Sequence, residues 1–403
     1  MNDPRSSSRM EPNRSPSSSR REGFALAVAM IAIVVIGALI AGAFFTSTQE
    51  YRIGRNALTD QRAFAAAEAG ATQPIQGWVK RTNLSMADGA TTAPDTLRLP
   101  DTGDAYSVRR MTRLDKNTFW VMSDGYAGGS NGQTAAYHRV NAVYRLTYPK
   151  FNILGALTAA GKVTVQGSSA VDGTDAIPSG WAGGICPASG PPVPGVAAPD
   201  TTLVCSGPTC PGDDGKNRLQ GSPPEFESAA AADTNTYYKY GDTNWALLVE
   251  NADIAFTGGG THTLNPQPVL SGLACDYSIK TNWGDPERLG ACADYFPIIY
   301  IDGNLKVQSN SRGQGVLLVN GSLEMAGNFM FNGIVVVRND INSTGTGNKI
   351  TGGAFAGDTY TTDNSGVLGN AEIRYSSCAI DRASRGSSTV VRIKQRSFNE
   401  IIQ

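Results

Sequence analysis

Phe24-Ala-Leu-Ala-Val-Ala-Met-Ile-Ala-Ile-Val-Val-Ile-Gly-Ala-Leu-Ile-Ala-Gly-Ala-Phe-Phe45 is a run of 22 residues without a charge. At about 1.5 Å per residue it makes a helix of roughly 33 Å, long enough to cross a hydrocarbon core. It holds twelve Leu, Ile, Val and Phe. These are worth roughly 4–7 kcal/mol of insertion before the weaker residues are counted. The run therefore reads as a membrane anchor and not as a core helix. A polar head ending Arg20-Arg-Glu-Gly23 precedes it, with five Arg against Asp3, Glu11 and Glu22. Net positive charge of this kind holds a leader on the cytoplasmic side.

An ordinary secretory signal has an apolar stretch of about 7–15 residues ending at a small-residue cleavage site. Here the run is longer, and a helical pattern continues through Thr46–Ala71. The junction resembles the type IV prepilin signal, in which a basic polar leader is followed by Gly and by an aromatic residue that opens the apolar helix. That resemblance implies cleavage between Gly23 and Phe24, N-methylation of Phe24, and retention of the helix for filament formation. Most pilins carry Glu at the fifth residue after the cut, where its carboxylate pairs with the terminal amine of a neighbouring subunit. This chain has Val28 there. Minor pilins of the PilX type and GspK pseudopilins of type II secretion often lack that Glu, and GspK-like subunits are placed at the tip. The resemblance thus implies a minor, tip-type pilin. The plainer reading of Val28 is that it removes a charge from hydrocarbon. Glu22 is a second departure, because Lys or Arg is more usual beside the cut.

Beyond the anchor, Tyr51, Leu58 and Ala65 recur at seven residues, as do Ala57, Phe64 and Ala71. This spacing puts each series along a helix face. Gly70 and Pro74 punctuate the end of the helix. The segment Ala63-Phe-Ala-Ala-Ala-Glu-Ala-Gly70 resembles the closing part of PilX-like N-terminal regions. Together the leader and helix cover about the first fifth of the chain.

The chain has 403 residues with 46 Gly and 17% charged residues. Two or three domains fit that length, and the composition suits turn-dense β structure outside the helix. A net charge of −1 gives no basic footprint for nucleic acid. All six cysteines, Cys186, Cys205, Cys210, Cys275, Cys292 and Cys378, lie beyond the anchor, where an extracytoplasmic location favours disulfides. The close pairs Cys205/Cys210 and Cys275/Cys292 are the natural candidates, leaving Cys186 and Cys378, with every pairing open. A zinc site would need ligand spacings that the cysteines, His138 and His262 do not offer.

Residues 79–150 read as a small β-meander: Tyr106–Leu114, Thr118–Ser123 and Ala136–Tyr148, with turns at Asp124-Gly and Gly128–Gly132. Alternation in the third segment marks a half-buried strand, which makes His138 a structural residue. Residues 151–403 read as a β-rich head. Asp302-Gly-Asn-Leu-Lys-Val307 and Asn320-Gly-Ser-Leu-Glu-Met325 line up, and Asn332–Val337 and Lys349–Gly357 continue the texture. Short apolar strands turned by Gly and Asn suggest an irregular β-solenoid, with a β-sandwich as the alternative. Residues 174–296 read as a Cys-, Pro- and Gly-rich insertion with a strand at Trp245–Val249. Its aromatics, among them Tyr237, Tyr238, Tyr240 and Trp245, would either meet a partner or form a small core of their own. Arg374–Ile380 and Arg396–Glu400 look like the terminal strands of heads attached to PilX-like proteins.

Asp302, Glu324, Asp340 and Asp358 are the carboxylates that a polysaccharide-cleaving solenoid would need to pair. Asp302 and Asp358 read first as turn residues, Glu324 as a solvated strand residue, and no nucleophile or phosphate-loop motif occurs. No catalysis and no cofactor are expected. Calcium is the alternative at Asp172–Asp175, Asp213–Gly215 and Asp340–Asn348, where oxygen ligands flank glycines without EF-hand spacing.

The whole reads as α+β: leader 1–23, transmembrane and assembly helix 24–78, meander 79–150, head 151–403. The resemblance implies a minor pilin, held in the inner membrane with a periplasmic head and then placed in a surface pilus. Its implied partners are other major and minor pilins, the prepilin peptidase and the inner-membrane assembly platform, with a surface ligand for the head. The alternatives are a type II secretion pseudopilin and an uncut membrane-anchored adhesin or carbohydrate-active enzyme.

Overall fold

The computed structural model describes residues 22–78, 80–99, 104–128, 134–182, 185–186, 189–206, 218–357, 364–367, 370–393 and 398–401. One helix, α1 (Glu22–Gln76), runs unbroken for 55 residues, about 82 Å at 1.5 Å per residue. Four antiparallel strands follow in spatial order: β1 (Asp95–Arg98), β2 (Tyr106–Arg113), β3 (Thr118–Gly128) and β4 (Thr134–Thr147). Every second residue of β3 from Phe119 to Ala127 is buried, as expected of a sheet with one covered face. The strands are longer than the sequence suggests. Asp124 and Gly125, read as a turn, lie inside β3, and residues 129–133 of the next turn lie outside the described residues.

After β4 come short strands in parallel pairing. Leu305, Leu323 and Ile341 oppose one another in successive strands. Lys306 and its neighbour Glu324 are 18 residues apart, the offset visible between the two Gly-containing repeats. Ile254, Ile299, Leu317, Val335, Ala354, Leu157 and Val196 form one buried column across seven strands. The runs Val316–Val319 and Ile334–Val337 are buried throughout, so they show no alternation. Leu317, Val319, Val335 and Val337 face the interior. Val316, Leu318, Ile334 and Val336 are covered from outside by Tyr237, Tyr240, Trp245 and Leu248. Those aromatics therefore cover the sheet; they are neither a separate small core nor a free partner surface.

Residues 174–296 do not interrupt this stack but supply both of its ends. Val196–Ala198 and Val204–Ser206 pair with Leu157–Ala159 and Lys162–Val165. Ile254–Phe256 and Thr261–Leu264 pair with Ile298–Ile301 and Asn304–Val307 at the far end. Because Leu157–Ala159 lies on Ala354–Ala356, the first strands of the head sit beside its last. Parallel strands need long crossovers, and such a crossover is what looked like an insertion. Trp245–Glu250 within it is a helix and not a strand, because Asn244 Oδ1 accepts the Leu247 N–H at 3.0 Å and caps a run of good helix formers.

The chain end also departs from a division at residue 151. Thr389–Arg392 and Phe398–Ile401 pair antiparallel with β4, so the head is inserted between two strands of the first sheet. Arg374–Ile380 is only half strand. Ser376 caps a helix over Ser377–Gly386, and Asp175 accepts the Ser377 N–H at 2.8 Å and hydroxyl at 2.6 Å. Disulfides Cys275–Cys292 and Cys186–Cys378 close spans of 17 and 192 residues. In a chain-entropy description these contribute about 3 and about 5 kcal/mol. Cys205 is also disulfide-bonded, and Cys210 lies outside the described residues.

Gly315, Gly333 and Gly352 stand opposite one another in successive strands, with φ of 111°, 140° and 146°. A Cβ on Gly333 would run into the Gly315 carbonyl oxygen, and one on Gly352 into that of Gly333. Gly333→Ala should therefore destabilise the head by about 2–4 kcal/mol, from strained backbone and overpacking together. Thermal unfolding followed by circular dichroism measures this, and an unchanged midpoint would contradict it.

Candidate assembly helix and its seat on the sheet

The two halves of α1 have opposite surroundings. An 18-residue window within Phe24–Ile75 has a mean hydropathy of 3.0, and none of it is buried. Phe24 is 76% exposed and Val28 49% exposed. Gly23 lies in the first turn, and the leader residues 1–21 lie outside the described residues. Apolar surface of this extent on a free-standing helix is matched to lipid or to other helices, because water alone leaves it unsatisfied.

At the other end Ala63, Ala66, Ala67 and Ala71 are fully buried. Their spacing, with Gly70, is that of one helix face. Facing them are Gly125 of β3 and the small residues Ser107 and Ser123. A Cβ on Gly125 would run into the Ala63 carbonyl oxygen and the Ala67 nitrogen, and one on Gly70 into both serine hydroxyls. The helix thus lies on the sheet at backbone distance, which only small residues on both sides permit. Around this contact Phe119, Val121, Val140, Ala142 and Tyr144 complete the core. The buried Tyr144 hydroxyl donates to the Ala71 carbonyl, and burial pushes the Tyr144 pKa up. Nearer the apolar half, Asp60 Oδ1 and His138 Nε2 are 2.9 Å apart, and the His138 ring meets Phe64 edge-on at 5.7 Å.

Of the two seven-residue series, Phe64 and Ala71 reach the sheet, whereas Tyr51, Ala57, Leu58 and Ala65 remain exposed. The sequence therefore carries an apolar seam that the chain's own head does not cover. Sequence reasoning missed Gly125. Its signal was present, since a glycine flanked by alternating strand residues marks close backbone approach.

The remaining candidate residues are engaged locally. Asp302 Oδ1 accepts from Asn320 Nδ2 at 3.1 Å, and that bond holds its carboxyl below the usual range. His262 Nε2 lies 3.0 Å from the Asp302 carbonyl oxygen. Glu324 pairs with Lys306 at 2.6 Å. Asp172 accepts the Thr174 N–H at 2.8 Å, and Asn348 donates to Ser343 Oγ at 2.8 Å inside the stack. Asp213, Asp214 and Asp358 lie outside the described residues. Among the described residues no three His, Cys, Asp or Glu side chains stand together as a metal-holding group.

No protein-family model matches the chain, and no curated protein matches it in sequence. Among solved structures, the competence-associated pilin ComZ from Thermus thermophilus is similar over 85% of this chain and 97% of its own, at 14% identity and a TM-score of 0.23.

The helix seat makes a direct prediction. Gly125→Val should cost about 3 kcal/mol, because the helix must lift off the sheet. Gly54→Ala, where nothing lies within 4 Å of the new methyl group, should shift stability by less than about 1 kcal/mol. Denaturant titration of the full chain in detergent measures both, and equal midpoints for the two variants would contradict the contact.

Proposed function

We propose that this chain is a minor-pilin-like structural subunit of a type IV pilus, cleaved after Gly23, methylated at Phe24 and placed at or near the tip. The observation that carries the reading is the single helix. Its first turns are apolar and exposed, its last turns are seated on a sheet, Gly23-Phe24 lies in its first turn, and a basic leader sequence precedes it. The subunit acts by assembly and not by catalysis, with no cofactor. Phe24–Phe45 anchors the chain in the inner membrane with the head outside. It then packs among other pilin helices, joined by the exposed seam of Tyr51 and Leu58. Val28 in place of an acidic residue suits a position where no neighbour's terminal amine has to be neutralised, as at a tip.

We read the parallel stack of the head as an irregular β-solenoid, supported by the 18-residue offset between Lys306 and Glu324 and by the seven-strand column through Leu317. The prepilin peptidase and the assembly platform are the partners of maturation, and major and minor pilins those of the filament. Val28 also suits a type II secretion pseudopilin, which deletion would distinguish by loss of exoprotein export.

Gly23→Ala should leave the leader attached, because the peptidase needs glycine before the cut. An intact mass measurement on membrane-extracted protein reads this directly. Normal maturation of the variant would contradict the proposal.

A further inference from the structure

The face of the antiparallel sheet turned away from α1 sets large aromatic and apolar residues among arginines. A sheet packed on one side ordinarily alternates apolar-in with polar-out. Here the outward positions of β2, β3 and β4 include Tyr106, Trp120, Met122, Tyr126, Tyr137 and Val143, all half-buried.

Arg98, Tyr106, Tyr126 and Tyr137 stand directly opposite one another across the four strands. The tyrosine ring centroids are 5.1 and 5.3 Å apart, at 22° and 49° between planes. The guanidinium carbons of Arg98 and Arg139 lie 5.6 and 5.9 Å from the rings of Tyr106 and Tyr137. The rings therefore stand side by side, their π faces turned to one another and to arginine. Tyr137 donates to Asp124 at 2.9 Å, and Arg139 reaches both oxygens of that carboxylate. Arg110 and Arg145 on the same face are exposed and make no ion pair among the described residues. The outward positions of the four strands thus gather Arg98, Arg110, Arg139 and Arg145 against the single acid Asp124, on a chain whose total charge is −1.

We propose that this sheet face docks an acidic surface of a second polypeptide. The charge excess selects an acidic partner. Tyr, Trp, Met and Arg are the residues enriched where proteins meet. Trp120, Met122 and Val143 supply the apolar centre, and the arginines supply the rim that steers and orients. Single-stranded nucleic acid binds by stacking bases on free aromatic faces, and in this ladder the rings face one another and arginine. This docking does not depend on filament membership and would hold for an uncut anchored chain as well.

The test places p-benzoylphenylalanine at Met122 of the full chain, in cells that naturally express it, with Thr164 on the head as the control position. Irradiation should join position 122 to a polypeptide segment richer in Asp and Glu than in Lys and Arg. The yield should fall about tenfold in Arg110→Glu/Arg145→Glu and persist in Arg110→Lys/Arg145→Lys. Irradiating the unmutated chain in membranes at about 0.5 M salt should lower the yield in the same way, without any question of misfolding. Adducts only to nucleic acid or polysaccharide, none above the Thr164 level, or a yield indifferent to charge and salt would each overturn the proposal.

Discussion

The rest of the molecule hangs from the contact of Ala63, Ala67 and Gly70 with Gly125, Ser107 and Ser123. A helix of 55 residues would be marginal in water over its polar stretch, since tertiary packing supplies most helical stability in proteins. Packing at backbone distance fixes the helix against β2, β3 and β4 with little freedom to slide or tilt. It needs small residues on both partners, and Ala63-Phe-Ala-Ala-Ala-Glu-Ala-Gly70 provides them on the helix. Once that contact is made, the direction of the exposed apolar half is set relative to the whole head. Load applied to the apolar half of α1 would pass into the sheet through this contact.

The head is tied into the same sheet at two places, through β4 and through Thr389–Arg392. Its interior is a set of apolar columns, and its outer face is sealed by Tyr237, Tyr240, Trp245 and Leu248. Open ends of parallel sheets invite further pairing, and both ends here carry charge. Lys280 donates to the Ala255 carbonyl at 3.0 Å at one end. The edge at the other includes Glu225-Phe-Glu227 beside Leu219–Gln220. Burial pushes the Glu225 carboxyl upward in pKa.

Much of this was legible in the sequence. The long exposed apolar helix was plain from Phe24–Phe45, because an uncharged run of this length has no polar face to turn to water. The strands at Asn304–Val307 and Leu323–Met325 were visible because their glycine and asparagine corners repeat. The double burial of Val316–Val319 and Ile334–Val337 could be suspected from their unbroken apolar runs, but not what covers them. Local reading failed where a long-range contact set the outcome. Asp124-Gly125 has the form of a turn, and only the helix above it explains a glycine within a strand. Trp245–Val249 has strand-like composition, and the Asn244 cap decides for helix. The return of Thr389–Arg392 to β4 spans more than half the chain and leaves no local trace. The arginine and tyrosine ladder escaped notice for the same reason, as its members are scattered over four strands and meet only through register.

If α1 belongs to an assembly, the head is what that assembly presents. N-terminal mass spectrometry on protein taken from sheared surface filaments tests this most directly. The expected result is a peptide that begins at Phe24 and carries an N-methyl group. Filaments devoid of the chain, with Met1 or Asn2 still at the start of the membrane-bound protein, would contradict it.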